Sequence, residues 1–199
     1  RPEQVLPPRD RVLRDLQGWM LAVCANGGGI VGAYTLGKAQ EVVAAANAAG
    51  LCPMVSDEVG EVCDIYVQHN VPLEYNRLDA LTPEQRAEPG LLVTSSTATS
   101  GRRPDAIVLE LRQRGFQTAR VSGWCAFAPW ALRGVDAGFP MSDHADFTGL
   151  IDFVEACAPQ QVYTVHGAQR ELAHEIQKRL DIPACSLPER GETKLEEFT

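Results

Sequence analysis

Residues 138–180 read GFPMSDHADFTGLIDFVEACAPQQVYTVHGAQRELAHEIQKRL. One pattern occurs twice in this stretch: a short apolar run ends in a histidine, and a helical pattern follows. The first copy carries His144 ahead of "DFTGLIDFVEACA" and the second carries His166 ahead of "AQRELAHEIQKRL". Short apolar runs bounded by turn residues read as strands, and apolar residues at i, i+3, i+4 and i+7 read as helices. Strand running directly into helix is the rhythm of a parallel α/β sheet. Each histidine then falls at the carboxyl end of its strand, the edge at which such sheets bind ligands.

The same rhythm extends upstream. "PPRDRVLRDLQGWMLAVCANGGG" has a helical stripe of Val12, Leu13, Leu16, Trp19, Met20, Val23 and Cys24 between prolines and glycines. "GIVGAY" reads as a buried strand and "LGKAQEVVAAANAAG" as the helix after it. "CPMVS", "GLLVTSS", "TARVSGW", "RGVDAGFPMS", "QQVYTVHG" and "IPACSL" read as further strands. "DEVGEVCDIYVQHN" and "PDAIVLELRQRG" read as helices, and "PERGETKLEEFT" as a polar tail. Composition shifts near residue 118, which predicts one domain over 1–118 and a second over 119–199.

The chain has 199 residues, 45% of them hydrophobic and 22% charged, an ordinary globular composition. A net charge of −8 argues against a sequence-independent nucleic-acid coat, which needs a basic face. It leaves room for a nucleic-acid enzyme with acidic ligands beside a local basic groove. No apolar run is long enough to span a membrane, and no signal peptide pattern is present. The six cysteines form no CxxC pair, so buried thiols of a reducing cytosol are expected, and with them a cytoplasmic location. The chain begins at Arg1 instead of Met and is expected to be a piece of something longer.

His144 and His166 lie 22 residues apart, about one βα unit. On neighbouring strands, roughly 4.8 Å apart, both imidazoles would face one site. Imidazole suits zinc or manganese-like ions. Asp143 and Asp146 have the chemistry to orient an imidazole or to cap the following helix. Gly167, directly after His166, permits close approach of backbone and substrate. A hydrolytic metal centre needs at least three protein ligands, and two histidines fall short. His69 and His174 lie inside helical patterns and are expected to have no site role.

"SDHADF" followed one helix later by "VYTVHG" resembles the second half of metallo-β-lactamase-fold nucleases that carry a β-CASP insert. "AYTLGKAQEVV" is similar to their phrase at a helix start. "TARVSGW" before "MSDHADF" narrows the resemblance to messenger-RNA 3′-end processing factors and exonucleases, including DNA-ligase-associated members. The likeness runs from about Pro2 to Leu187. It implies an α/β fold: a parallel-sheet, three-layer β-CASP domain plus the C-terminal βα units of a metallo-β-lactamase fold. It implies catalytic roles for His144, with Asp143 and Asp146 beside it, and His166 as a metal ligand. It implies a nucleic-acid contact surface of Gly37, Lys38, Ser95, Ser96, Thr97, Arg102, Arg103 and Gly167. In the family two zinc ions complete the site, but their HxHxDH motif precedes a segment like this one. The fragment alone is therefore expected to be inactive.

The function that follows is part of a metal-dependent nuclease acting on RNA or single-stranded DNA. His144 would act as general acid, since imidazole exchanges protons near neutral pH. A homodimer, and association with a DNA ligase or an RNA-processing complex, are the expected partners besides substrate. The alternative is a non-catalytic nucleic-acid-binding or scaffold relative without a complete metal site. A nucleotide-binding domain is disfavoured, because the glycines of "NGGGIVGAY" follow a helix instead of opening one. Among Lys38, Arg102, Arg103, Arg112, Arg114, Arg120 and Arg133, the pair Arg102 and Arg103 is the better phosphate contact.

Overall fold

The computed structural model of the chain describes residues 1–100 and 104–187. Leu6–Asp143 form one compact unit, and residues 1–5 with the chain from His144 onward form another. The larger unit starts with helix α1, Arg9–Ala25, whose buried face is Val12, Leu16, Met20 and Val23. Gly27 and Gly28, at φ 116° and 124°, turn the chain into strand β1, Gly29–Ala33. A Cβ on Gly28 would lie 2.3 Å from the Phe116 ring, so that turn admits glycine alone.

There follow α2 (Lys38–Ala48), β2 (Met54–Val55), α3 (Asp57–Gln68), β3 (Asn76–Arg77), α4 (Pro83–Ala87) and β4 (Leu91–Ser95). Next come α5 (Ala106–Gln113), β5 (Gln117–Val121), two 3-10 turns (Gly123–Ala126 and Pro129–Leu132) and β6 (Ala137–Phe139). The sheet order is β3-β2-β4-β1-β5-β6, and every pairing is parallel. Central β1 and β4 are buried along their whole length, as strands covered on both faces must be.

Alternate side chains divide between two cores. Val31, Leu91, Val93, Ala119 and Val121 pack with α1, α2 and α3. Ile30 and Leu92 pack with Val108 and Leu111 of α5 and with Phe116. The reason is connectivity. From β1 the chain moves along the sheet one way to β2, and from β4 the other way to β5. Right-handed crossovers then place the connecting helices on opposite faces. The helices that follow β1 and β4 therefore cover opposite faces of the sheet.

The smaller unit contains α6 (Phe147–Cys157), β7 (Val162–Thr164), α7 (Gln169–Leu180) and β8 (Ala184–Ser186). β7 and β8 form a parallel pair of their own. Phe147, Ile151, Ala173, Ile176 and Ala184 make its core, with the Arg179 guanidinium 4.9 Å above the Phe147 ring.

The parallel, three-layer α/β reading matches the structure, and the expected strands and helices are present. The compact units divide at Asp143, and β5 and β6 are hydrogen-bonded into the large sheet. Two readings need correction. The strands ahead of His144 and His166 are not neighbours, because β6 pairs with β5 and β7 pairs with β8. Cys63 is buried and Cys24 and Cys125 are half-buried, but Cys52, Cys157 and Cys185 are exposed; all six thiols are free. Among the described residues no helix is long and apolar enough to cross a membrane.

Gly32 is the tightest point of β1. A Cβ there would lie 2.2 Å from Oγ1 of Thr99, which is wholly buried. Gly32→Ala is expected to push the loop after β4 off the strand and cost about 1–3 kcal/mol. A urea melt reads this as a lowered midpoint with an unchanged slope. An unchanged midpoint would mean that the loop yields at no cost.

Candidate functional site

Four loops leave the carboxyl edge of the large sheet close to one another in strand order: those after β4, β1, β5 and β6. The loop after β1 ends at Gly37, whose φ of 82° is left-handed. The Gly37 N–H donates to Oε1 of Gln40 at 2.8 Å, and the Ala39 N–H donates to the Tyr34 carbonyl at 2.9 Å. Gln40 is buried, and its Nε2 reaches Sγ of Cys63 at 3.5 Å. "GKAQ" is thus a turn and a helix cap, with Gln40 locking the cap from within.

Lys38 was expected to face nucleic acid, and its geometry differs. The residue is 1% exposed, and its ammonium donates to Oε2 of Glu41 and Oδ1 of Asp143, each at 2.6 Å. Arg9 approaches the other oxygen of Glu41 at 2.7 Å. The result is an alternating chain of charges, Arg9–Glu41–Lys38–Asp143, tying α1 and α2 to the segment after β6. A buried ammonium held by two carboxylates is compensated, and it is not offered to a phosphate. Its role here is to hold Asp143, the residue before His144.

The loop after β4 is a self-bonded turn. The Ser96 N–H donates to the Ala33 carbonyl at 2.7 Å, which joins this loop to the end of β1. Ser95 Oγ lies 2.9 Å from Thr97 Oγ1 and accepts from the Ala98 N–H at 3.2 Å. Ser95 is buried, Ser96 half-buried and Thr97 exposed, so Thr97 presents the accessible hydroxyl of the three. Arg102 and Arg103 lie outside the described residues.

The loop after β5 is held by two arginines, Arg120 of β5 and Arg112 of α5, and carries two tryptophans to which the sequence assigned no role. Arg120 is 8% exposed; its Nη1 donates to the Ala131 carbonyl at 3.0 Å, while its Nε is buried without a partner. Arg112 donates to Oγ1 of Thr118 and to the Gly134 carbonyl, each at 2.9 Å. The two arginines clamp the chain that carries Trp130. Trp124 and Trp130 both stand in solvent with ring centroids 5.8 Å apart. The available signal was "WCAFAPW", two tryptophans within seven residues in a stretch with neither helical nor strand period.

In the smaller unit, His144 is exposed just ahead of α6. Asp146 is the N-cap of that helix, its Oδ1 accepting from the Gly149 N–H at 2.8 Å. His166 is exposed and left-handed, φ 63°, followed by Gly167 at φ 57°. The glycine suits this turn; for histidine the same conformation costs about 1 kcal/mol or more. Thr164 Oγ1 donates to the Gln169 carbonyl at 2.7 Å across the base of this loop and holds it closed. Backbone strain of this kind clusters at functional sites.

Among the described residues no three His, Cys, Asp or Glu side chains gather into a metal site. One imidazole donor, His166, is short of what zinc takes from protein. These residues alone do not fit a complete zinc centre.

Comparison with known proteins agrees with the resemblance in "SDHADF" and "VYTVHG". Residues 138–183 match the RMMBL family, described as the Zn-dependent metallo-hydrolase RNA specificity domain. The match opens on β6 and takes in both histidines. Over 183 residues, 90% of this chain, the sequence is 32% identical to a probable DNA ligase of Opitutus terrae. The chain spans 17% of that relative's length.

Replacing Lys38 tests the charge chain. Lys38→Met is expected to destabilise the fold by about 1–2 kcal/mol, a figure reduced because Glu41 and Asp143 are partly solvated. Asp143→Asn should then cost less in the Lys38→Met background than alone. Calorimetric melting of the four proteins checks both. Additive losses would show that the ammonium and the carboxylate act independently.

Proposed function

We propose that the chain is part of a metal-dependent nuclease that hydrolyses phosphodiester bonds of RNA or single-stranded DNA. The observation that carries the reading is the recurrence of strand, exposed histidine and helix within the segment that matches an RNA-specificity domain. The matched family is Zn-dependent, and zinc there supplies Lewis acidity and an activated water. Since the described residues do not complete a zinc site, the roles assigned below are those of this chain's own groups.

His144 is the general acid. Its exposure just ahead of a helix leaves the imidazole accessible to a leaving-group oxygen, and imidazole exchanges protons near neutral pH. Asp143 acts on it through the backbone: Lys38 fixes the Asp143 carboxylate, and with it the chain entering His144. Asp146 anchors the other side of the histidine by capping α6. His166 serves as a metal ligand, with Gly167 giving the turn. Thr97 offers its accessible hydroxyl to the phosphate backbone, Ser95, Ser96 and Gly37 shape the turns beside it, Arg102 and Arg103 are assigned phosphate contacts from sequence alone, and Lys38 takes part by positioning.

A second reading, a non-catalytic nucleic-acid-binding relative, is favoured by the single ligand, His166, that the described residues offer where a zinc centre needs three. One assay separates the two. Full-length protein is incubated with end-labelled RNA and single-stranded DNA in zinc or manganese. Cleavage that His144→Ala lowers about 10²- to 10⁴-fold is the expected result for a lost general acid. Wild-type cleavage by His144→Ala would remove the proton-transfer role. Binding without cleavage, with metal bound or not, would establish the non-catalytic reading.

A further inference from the structure

The pair Trp124 and Trp130 has no part in the chemistry above, yet it is a built feature. The two residues are 49% and 52% exposed, with rings 5.8 Å apart and tilted by 44°. Indole is expensive to leave in water, so two held together in solvent call for an occupant. Neither sits on a loose loop. The Trp124 N–H donates to Oγ of Ser122, and the Trp124 carbonyl accepts from Phe127 and Ala128. The Trp130 segment is held from beneath through the Ala131 carbonyl, by the buried Arg120.

Arg120 supplies the second observation. It has no carboxylate partner among the described residues, and its Nε is buried and unsatisfied. Guanidinium keeps its proton at any working pH. A buried positive charge with a donor unused thus bonds the residue next to Trp130, in a chain whose net charge is −8. Exposed apolar faces on a segment held by a buried cation fit a ligand that combines flat rings with anionic groups. β6, where the RNA-specificity match begins, is the strand paired with β5.

We propose that Trp124 and Trp130 form a stacking platform for unpaired nucleobases, with Arg120 drawing the phosphates of the same strand. The proposal rests on the nucleic-acid reading and adds to it the selection of single strands. Bases inside a duplex already stack on each other and present only edges, whereas an unpaired base offers its face to an indole. The tilt leaves no parallel slot between the rings, so successive bases lie on their outer faces.

The test uses the chain with Trp19→Phe, since Trp19 is the third tryptophan and packs on Phe139 inside the fold. Oligo(dT) and oligo(U) are titrated while tryptophan emission and the anisotropy of a labelled strand are followed together. Saturable quenching by single strands, and little by a duplex of equal length, is expected. Trp124→Ala should weaken binding about fivefold to hundredfold, and Trp124→Phe should restore most of it. Binding by anisotropy with no quenching, or undiminished affinity in Trp124→Ala, overturns the platform and leaves the nucleic-acid reading standing. A mass that falls from dimer to monomer in Trp124→Ala with unchanged binding makes the pair a contact between copies of the chain, and overturns it too. No binding of any strand overturns both readings.

Discussion

Every strand of the larger sheet runs in the same direction, so every loop that follows a strand leaves from one edge. That constraint gathers residues distant in sequence. The Gly37 turn, the Ser95–Ser100 turn, the Trp124 segment and the Asp143 segment follow β1, β4, β5 and β6, four strands adjacent in the sheet. The Ser96 N–H bonded to the Ala33 carbonyl ties the turn after β4 to the end of β1. The opposite edge receives the glycine turn at Gly27 and Gly28 and the tight chain before β5, which leave little room for a ligand.

Two devices hold the edge in place, each at some cost to the fold. One is steric: β1 carries glycine at position 32, which gives up side-chain packing so that Thr99 can lie against the strand. The other is electrostatic. Burying the Lys38 ammonium is unfavourable, and two carboxylates at 2.6 Å offset that cost. Hydrophobic side chains of the same volume would fill the space with less penalty, so the gain from this network is placement: it fixes the carboxylate of Asp143, the residue that leads into His144. Arg120 shows the opposite condition: among the described residues no carboxylate pairs with this buried cation. A fold tolerates such a group where a ligand completes it.

Much of this architecture was legible in the sequence, because local periodicity and element order report directly on backbone conformation. The α1 stripe at Val12, Leu16, Met20 and Val23 and the apolar runs at Ile30 and Leu92 mark helix and buried strands without reference to anything distant. Which strands pair is a property of hydrogen bonds between remote segments. For that reason the pattern left open whether β6 and β7 are neighbours, and each bonds elsewhere. The same limit applies to Lys38, a basic residue at a helix start whose burial depends on Asp143, 105 positions away. Thr97 and His166 are candidates from motif and resemblance; the exposed pair of Trp124 and Trp130 is not, because side chains that stack need no fixed spacing and leave no period.

The claim on which the account depends is that nucleic acid lies along the carboxyl edge of the six-stranded sheet. Photocrosslinking of a single strand carrying 4-thiouridine or 5-iodouracil, followed by peptide mapping, tests it without requiring turnover. The account predicts crosslinks within the loops that follow β1, β4 and β5, with Tyr34, Trp124 and Trp130 prominent as exposed aromatic acceptors. Crosslinks confined to the amino edge, at Gly27–Gly29 and Gly115, or to the outer faces of α1 and α3, would contradict it.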